Sequence, residues 1–444
     1  MLNLDQLREA VRSDRIDTVV VAFTDMQGRL VGKRMHGRYF VDHDIASHGA
    51  EGCNYLLAVD MEMEPVPGYA MANWQLGYGD FVLKPDLATL RLAPWLPATA
   101  LVLCDVEWHD RTPVRPSPRQ VLRAQVERAR ALGYEAMFGS ELEFYLFRDT
   151  YAQAHERGYR DLTPSVPYIL DYHILATSCD EPLLRRIRND MHAAGITVES
   201  SKGEAWPGQQ EINFLYADAL TMADNHVVYK NGAKEIAHQE GCSITFMAKP
   251  DHRWIGNSCH IHSSLWQNGE NAFAGESEVF GHYLAGQIAC LKELAVFLAP
   301  TVNSYKRFAA GSWAPTTLAW GHDNRTCGFR IVGEGSSLRT ETRIPGGDCN
   351  PYLAFAALLA AGLYGIEHEL PLPPALEGNA YESEADRFPS TLYEAIEALE
   401  QGTMARAALG DEAVDHYLNY ARTEQALFDQ AVTDHERQWM FERG

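Results

Sequence analysis

The segment between Arg339 and Tyr352 places charged residues at alternating positions shortly before a helix start. Side chains two residues apart on a strand point to the same face, so Arg339, Glu341 and Arg343 are expected to share one face. A carboxylate between two guanidinium groups suits a site that handles a metal ion together with phosphate groups. For this segment alone, the alternative is a solvated strand face with an Arg–Glu ladder.

A second segment carries Glu141 and Glu143 in the otherwise apolar stretch from Tyr134 to Phe147. Two like charges on one face of such a strand are costly unless a cation compensates them. Divalent ions such as Mg²⁺ prefer carboxylate oxygens, so the pair predicts a metal site. An exposed strand edge is the alternative.

Two further segments bring acids and histidines into a similar arrangement. Glu204 and Glu211 flank the turn at Pro207-Gly208, so both side chains can return to one place. His260 and His262 lie two residues apart after a glycine loop and share a strand face. A single histidine is more often a core residue, but a pair at this spacing favours a functional site.

Arginines supply positive charge that could balance these glutamates and a bound phosphate group. Arg307, Arg325 and Arg330 occur in a chain whose formal net charge is −22. Single arginines are most often surface residues, but arginine binds phosphate and carboxylate groups in bidentate fashion, and a cluster suits that task. The sequence contains neither a Walker-type glycine loop nor a GxGxxG motif, which would offer phosphate binding at a helix N-terminus.

Together these segments resemble the glutamine synthetase family. The resemblance covers essentially the whole chain and is weaker before residue 80. Its motifs are Glu141-x-Glu143-Phe144, Pro207-Gly-Gln-x-Glu211, Phe246-Met-Ala-Lys-Pro250, the run from Gly256 to Trp266, Asn303-Ser-Tyr-Lys-Arg307, Arg339-x-Glu341-x-Arg343 and Asn350-Pro-Tyr-Leu353.

The resemblance implies ligands for two divalent ions, Mg²⁺ or Mn²⁺. The first ion would be held by Glu143, Glu204 and Glu211. The second would be held by Glu141, His260 and Glu341.

The resemblance also implies roles around ATP and glutamate. The residues that would face ATP are His262, Ser264, Arg325, Arg330 and Arg339. Those that would face substrate glutamate are Arg307, Arg343 and the loop at Gly256. Those implied in catalysis are Arg307, Arg325, Arg339 and Asp80. The implied reaction forms γ-glutamyl phosphate from glutamate and ATP, and an amine then displaces phosphate.

The chain departs from ammonia-using members at one position. In those members the loop after the Asn-Ser-Tyr-Lys-Arg motif carries a glutamate that helps deprotonate ammonium, and here Trp313 takes that position. An indole accepts no proton, but its face can pack on an alkyl chain or over an organic ammonium. The departure therefore favours the γ-glutamyl-amine ligases, which join glutamate to polyamines, ethanolamine or other organic amines.

Two alternatives remain open. One is an ordinary glutamine synthetase with a rearranged ammonium site. The other is a catalytically silent structural relative, against which the intact candidates for both metal sites argue.

The elements that must position these residues form two groups. Strands near 18–23, 30–35 and 100–106 predict a small β-grasp-like domain over residues 1–112, ended by a proline-rich stretch. Residues 113–444 predict a larger catalytic domain of the α+β class. Its strands carry alternating charges, which indicates a mainly antiparallel sheet with flanking helices. The predicted strands are 135–147, 196–201, 209–216, 243–248, 258–266 and 328–344, and the predicted helices are 181–194, 221–240, 279–298 and 351–366.

Composition indicates which kinds of molecule the protein is expected to bind. The chain has 444 residues, 46% of them hydrophobic, with 38 basic against 60 acidic residues, which argues against nucleic acid as the main partner. The charged N-terminal stretch lacks a secretory pattern, and the longest apolar run is shorter than the ~20 residues that cross a bilayer, so no membrane span is expected. Eight cysteines without a Cys-x-x-Cys pair indicate reduced thiols in the cytoplasm. The expected partners are small molecules, and the resemblance implies a homo-oligomer, a dodecamer with sites between subunits.

Overall fold

The computed structural model describes residues 1–444. The helices are α1 (Leu4–Arg12), α2 (Gly37–Asp42), α3 (Ile45–His48), α4 (Pro118–Ala131), α5 (Tyr151–Glu156), α6 (Ile174–Ser178), α7 (Glu181–Ala193), α8 (Ala219–Gln239), α9 (Glu278–Cys290), α10 (Ala295–Leu298), α11 (Val302–Tyr305), α12 (Pro351–Glu367), α13 (Leu392–Gln401), α14 (Met404–Leu409), α15 (Asp411–Gln430) and α16 (Asp434–Met440). The strands are β1 (Thr18–Thr24), β2 (Leu30–His36), β3 (Ala50–Cys53), β4 (Asp80–Pro85), β5 (Arg91–Leu92), β6 (Thr99–Glu107), β7 (Glu135–Phe147), β8 (Val198–Gly203), β9 (Gln209–Phe214), β10 (Ala217–Asp218), β11 (Ser243–Thr245), β12 (Cys259–Gln267), β13 (Glu270–Asn271), β14 (Trp320–His322), β15 (Phe329–Val332) and β16 (Arg339–Thr342).

The first sheet has six strands in the order β2-β1-β6-β4-β3, with β5 beside β6. Strands β1 and β6 are parallel, and the other neighbours are antiparallel. Alternate residues of β1, Val19, Val21 and Phe23, pack with Leu7 and Val11 of α1 in one apolar cluster. A sheet with one helix-covered face agrees with the predicted β-grasp-like fold.

The second sheet has ten strands and carries the predicted site residues. Its main path runs β14-β15-β16-β12-β7-β9-β8, and β10, β11 and β13 pair with β7 or β12. Only β14 and β15 are parallel neighbours. The predicted α+β class with a mainly antiparallel sheet is therefore confirmed.

Helix α12 forms the centre of the layer behind this sheet. Asn350 caps its start, because Asn350 Oδ1 accepts a hydrogen bond from Tyr352 N at 3.1 Å and Pro351 takes the first turn. Phe355 packs on Phe138 of β7, with ring centroids 4.8 Å apart. Although α12 is apolar on all sides, no helix of the structure combines the length and the apolar character that crossing a membrane requires.

Two predicted elements differ from the structure. The predicted strand 328–344 is two antiparallel strands, β15 and β16, because Gly333 and Gly335 adopt positive φ angles and turn the chain back. The predicted helix 279–298 ends at Cys290, and α10 is a separate short helix. Residues 294–299 are all buried, so their apolar run has no periodicity that could mark the break.

A buried ion cluster joins the six-stranded sheet to helices α4 and α8. Arg119 of α4 donates to Asp224 of α8 through Nε at 2.9 Å and to Asp86 through Nη2 at 2.8 Å, and it also pairs with Asp105 of β6. Tyr352 donates a further hydrogen bond to Asp224 Oδ1 at 2.6 Å. The Arg119 guanidinium therefore binds two carboxylates of the six-stranded sheet region and one carboxylate of helix α8.

Replacing Arg119 by Met is expected to lower the free energy of unfolding by about 3–5 kcal/mol, because buried Asp224 loses its ion-pair partner and Asp86 and Asp105 keep only Arg123. Urea denaturation followed by circular dichroism measures the change. Arg8→Met is the matched control, since Arg8 and Asp5 form an exposed pair, and it should change stability by less than about 0.5 kcal/mol. Equal stability of the two variants would contradict this role of Arg119.

Candidate active site

Neighbouring strands of the ten-stranded sheet carry the predicted site residues at facing positions. Glu341 of β16 lies opposite Arg330 of β15 on one side and His262 of β12 on the other. His260 of β12 lies opposite Glu141 of β7. Residues paired across adjacent strands share a face, so the register gathers these five side chains on one side of the sheet.

A second row lies across β7, β9 and β8. Glu143 is opposite Glu211, and Glu211 is in turn opposite Lys202. Glu204 directly follows β8, and its carboxylate pairs with the Lys202 ammonium. The rows meet at β7, where Glu141 and Glu143 stand two residues apart.

The structure brings together two groups of possible metal ligands. Donor atoms of Glu141, His260 and Glu341 lie within 4.8 Å of one another, and so do donor atoms of Glu143, Glu211 and His260. The first group is the set implied for one ion. In the second group, His260 stands with Glu143 and Glu211, whereas Glu204 is paired with Lys202. The implied division of ligands between two ions stays a prediction.

The electrostatics of the two rows differ. Burial and the neighbouring Glu204 charge raise the pKa of Glu143 to about 8, and the same two causes hold the pKa of Glu211 well above its usual value. Burial likewise opposes ionisation of Glu341, but the neighbouring His260 and Arg343 outweigh it and lower its pKa to about 2. Above the pKa of His260, the positive charge beside Glu341 comes from Arg330 and Arg343. The Glu341 side therefore has enough positive charge, and the Glu143–Glu211 side has too little.

The donor set fits a divalent cation. Burial and the Arg343 charge lower the pKa of His260 to about 4, so its imidazole is neutral, which is the form that binds metals. Its Nε2 atom is buried without a hydrogen-bond partner. A cation near Glu143 and Glu211 would favour their ionised forms. The residues present are therefore suitable ligands for Mg²⁺ or Mn²⁺.

Two cavities open onto this face of the sheet. One, of about 590 Å³, is lined by most of the acids together with Arg325, Arg330, Arg343 and Trp313. The other, of about 330 Å³, is lined by His262, Ser264 and Arg339 and by the aromatic side chains of Tyr216 and Trp266. Glu141 and Asn213 line both. The acidic cluster thus stands where the cavities meet.

Hydrogen bonds orient the groups between the cavities. Arg339 Nε donates to His262 Nδ1 at 3.1 Å, and His262 Nε2 lies 3.0 Å from Glu141 Oε1. Arg330 Nη1 donates to Glu341 Oε2 at 2.7 Å, and Arg343 pairs with the other oxygen of Glu341. Arg330 and Arg343 are therefore fixed by a carboxylate of the first metal-ligand group, and Arg339 is fixed by His262, which contacts Glu141 of that group.

Arg307 and Gly256 lie beneath the first cavity. The Arg307 guanidinium is buried and donates to Ile344 O at 2.8 Å and to Ser258 Oγ at 2.9 Å. A Cβ atom at Gly256 would lie 2.6 Å from Arg307 Cγ, so only glycine permits this packing. Arg307 supports the cavity floor through its hydrogen bond to Ser258. Contact of Arg307 or Gly256 with substrate glutamate stays a prediction.

Asp80 lies apart from the other predicted catalytic residues. It is the first residue of β4 in the six-stranded sheet, where it is exposed and pairs with Cys53. It lines neither of the two cavities. Its implied catalytic role therefore stays a prediction.

The motifs do not predict several residues of the first cavity. Tyr172, Ile174 and Asn213 line it, and Lys202 pairs with two of its acids. The alternation of Lys202 with Glu204 is a signal that sequence could have offered. Tyr172 comes from an irregular segment and Ile174 begins the short helix α6, so no periodicity marks a site there.

The family model described as glutamine synthetase, catalytic domain, matches residues 115–440. The chain belongs to the glutamine synthetase family. Members of this family use ATP and divalent metal ions.

Three individual proteins of this family are similar to the chain over nearly its full length. The chain is 56% identical to gamma-glutamylethanolamide synthetase of Streptomyces coelicolor, over 100% of this chain and 96% of that protein. It is 39% identical to the glutamate–isopropylamine ligase of a Pseudomonas species, over 93% and 92% of the two chains. Glutamine synthetase of Thermus thermophilus is 34% identical, over 99% and 98%.

A solved structure has the same fold. The structure of a GmaS complex with ADP superposes with a TM-score of 0.85 at 31% identity, over 98% of this chain and 99% of that one. The agreement over nearly the full length extends the similarity to both sheets.

Replacing Glu341 by Ala is expected to weaken Mn²⁺ binding more than about tenfold, because one ligand is lost from a buried group of three. Electron paramagnetic resonance of free Mn²⁺, without ATP or glutamate, measures the affinity. Glu334→Ala is the control, since Glu334 is exposed in the turn before β16, and it should bind Mn²⁺ like the original protein. Unchanged binding in a folded Glu341 variant would contradict the ligand assignment.

Proposed function

We propose that this protein joins the γ-carboxylate of glutamate to an organic amine in an ATP-dependent reaction that passes through γ-glutamyl phosphate. The acidic and histidine cluster between two cavities is suited to bring two substrates together at one reacting group. The similarity to two glutamate–amine ligases over nearly the full chain supports the choice of substrates.

We assign ATP to one cavity and the two other substrates to the other cavity. The cavity of about 330 Å³ would take ATP, since it offers aromatic faces together with His262, Ser264 and Arg339. The cavity of about 590 Å³ would take glutamate and the amine. Arg343 would pair with a glutamate carboxylate, while Arg307 and Gly256 hold the floor beneath it. Arg325 and Arg330 would face the transferred phosphoryl group.

The reaction then has two displacement steps. A γ-carboxylate oxygen of glutamate attacks the γ-phosphorus of ATP, and ADP leaves. The amine nitrogen next attacks the γ-carbonyl carbon, phosphate leaves, and the nitrogen loses a proton. Arg325, Arg330 and Arg339 would stabilise the negative charge on the transferred phosphoryl oxygens.

We assign divalent ions, Mg²⁺ or Mn²⁺, to the acidic cluster. One would be held by Glu141, His260 and Glu341. The other would be held by Glu143, Glu204 and Glu211, with His260 close to both groups. Bound ions would neutralise charge on the phosphate groups.

One observation carries the choice of an organic amine over ammonia. The indole of Trp313, 55% exposed, lines the larger cavity. Its backbone φ of +64° is unusual for a bulky residue, so the fold holds this side chain at a strained position. An indole at the wall favours an amine with a carbon chain, of a size near ethanolamine or isopropylamine.

We further infer a cytoplasmic homo-oligomer with a domain boundary at residues 112–113. The exposed position of Asp80 supports a site completed by a neighbouring copy, because Asp80 lies outside both cavities. All eight cysteines are unpaired, which suits a reducing compartment. The six-stranded sheet ends at Glu107 and α4 begins at Pro118, which supports the boundary.

The proposal is tested by metal-dependent phosphate release from ATP with glutamate and one amine at a time. The panel comprises ammonium, methylamine, ethanolamine, isopropylamine, putrescine, spermidine and an aromatic amine. Strong turnover with one organic amine and little with ammonium is expected. Turnover with ammonium alone would indicate a glutamine synthetase, and no turnover with any amine would indicate a catalytically silent relative.

Replacing Trp313 by Glu is expected to raise the ratio of kcat/KM for ammonium to that for the preferred organic amine by about tenfold, because a carboxylate pairs with ammonium and removes the apolar wall. The same phosphate-release assay measures both constants. Trp313→Phe keeps an aromatic wall and should retain the original preference. If the glutamate variant keeps that preference as well, Trp313 does not select the amine.

A further inference from the structure

Lys202 is a cation inside the acidic cluster that the assigned reaction does not use. It lies on β8 directly opposite Glu211 of β9, and its Nζ is 3.8 Å from Glu211 Oε1. The same ammonium pairs with Glu204, two residues further along. The side chain is 23% exposed and lines the larger cavity.

The position of Lys202 places it in competition with a divalent ion. Glu211 belongs to the metal-ligand group with Glu143 and His260, and Glu204 is assigned to the same ion. A metal ligand and an ion-pair partner use the same carboxylate oxygens. An ammonium beside a divalent ion is also strongly repelled, since three positive charges would crowd a partly buried place.

The structure also gives the ammonium a contact that involves no carboxylate. Lys202 Nζ lies 4.9 Å from the ring centroid of Tyr172, whose side chain is 66% exposed at the edge of the cavity. An aromatic face attracts an ammonium without using any carboxylate. The flexible four-carbon stem of lysine allows the ammonium to leave the carboxylates and stay over this ring without a change in the backbone.

We propose that Lys202 is a tethered counter-cation that competes with the divalent ion for Glu204 and Glu211 and, when the ion binds, leaves both carboxylates while keeping its contact with the Tyr172 ring. This inference rests on the metal-binding role assigned to those glutamates. Lys202 would thereby stabilise the acidic row and set the metal concentration that the protein requires.

Lysine labelling of the unmodified protein tests the displacement. Brief acetylation with and without Mg²⁺, in the absence of ATP and glutamate, is followed by mass spectrometry of the labelled peptides. Labelling of Lys202 is expected to rise several-fold with Mg²⁺, because its ammonium leaves two carboxylates. Lys33, exposed on β2, serves as the internal control and should be labelled equally in both conditions.

Mn²⁺ affinity tests the competition. Electron paramagnetic resonance of free Mn²⁺ is expected to show about tenfold tighter binding by Lys202→Met, because the competing charge is removed. Lys202→Arg keeps the charge and should bind like the original protein, as should Lys33→Met.

The outcomes distinguish failure of the Lys202 inference from failure of the metal assignment. Mn²⁺ binding by the original protein with unchanged or lower Lys202 labelling would overturn this inference alone. Equal or weaker Mn²⁺ binding by Lys202→Met would also overturn it. Failure of the original protein to bind Mn²⁺ would overturn the metal assignment and this inference with it.

Discussion

Burial of several carboxylates on one face of an antiparallel sheet is the constraint on which the site depends. Glu143, Glu211 and Glu341 are all buried, and Glu141 stands between them on β7. Such charges require cations nearby, because the protein interior solvates them poorly. The arrangement of arginines, histidines and lysine around the sheet follows from that need.

The cations are distributed unevenly between Glu341 and the row of Glu143 and Glu211. Arg330 and Arg343 both pair with Glu341, which keeps that carboxylate ionised. The row of Glu143 and Glu211 has Lys202 beside Glu211 and the charge of Arg307 near Glu143, and the pKa values of both acids stay raised. This difference separates a region already neutralised by protein groups from one suited to a divalent ion.

The rest of the fold holds this face rigid and open. Helix α12 packs behind β7 through Phe355, and the Arg119 cluster ties the six-stranded sheet to α4 and α8. Glu141 lines both cavities, so substrates in the two cavities would meet at the acidic cluster. The six-stranded sheet contributes no predicted catalytic residue to the cavities of its own copy, since Asp80 lies outside them.

The sequence by itself determined the composition of the site, because period-two spacing puts alternate residues of a strand on one face. Glu141 with Glu143 and His260 with His262 were predictable in this way, and the alternating charges also predicted the α+β class with its mainly antiparallel sheet. Only the tertiary structure decided which strands are neighbours, and therefore that His260 faces Glu141 and that Lys202 faces Glu211. Strand register depends on contacts between residues far apart in the chain, which local spacing does not encode. For the same reason the structure alone revealed the turn that splits 328–344, the buried position of Arg307 and the place of Tyr172 at the cavity edge.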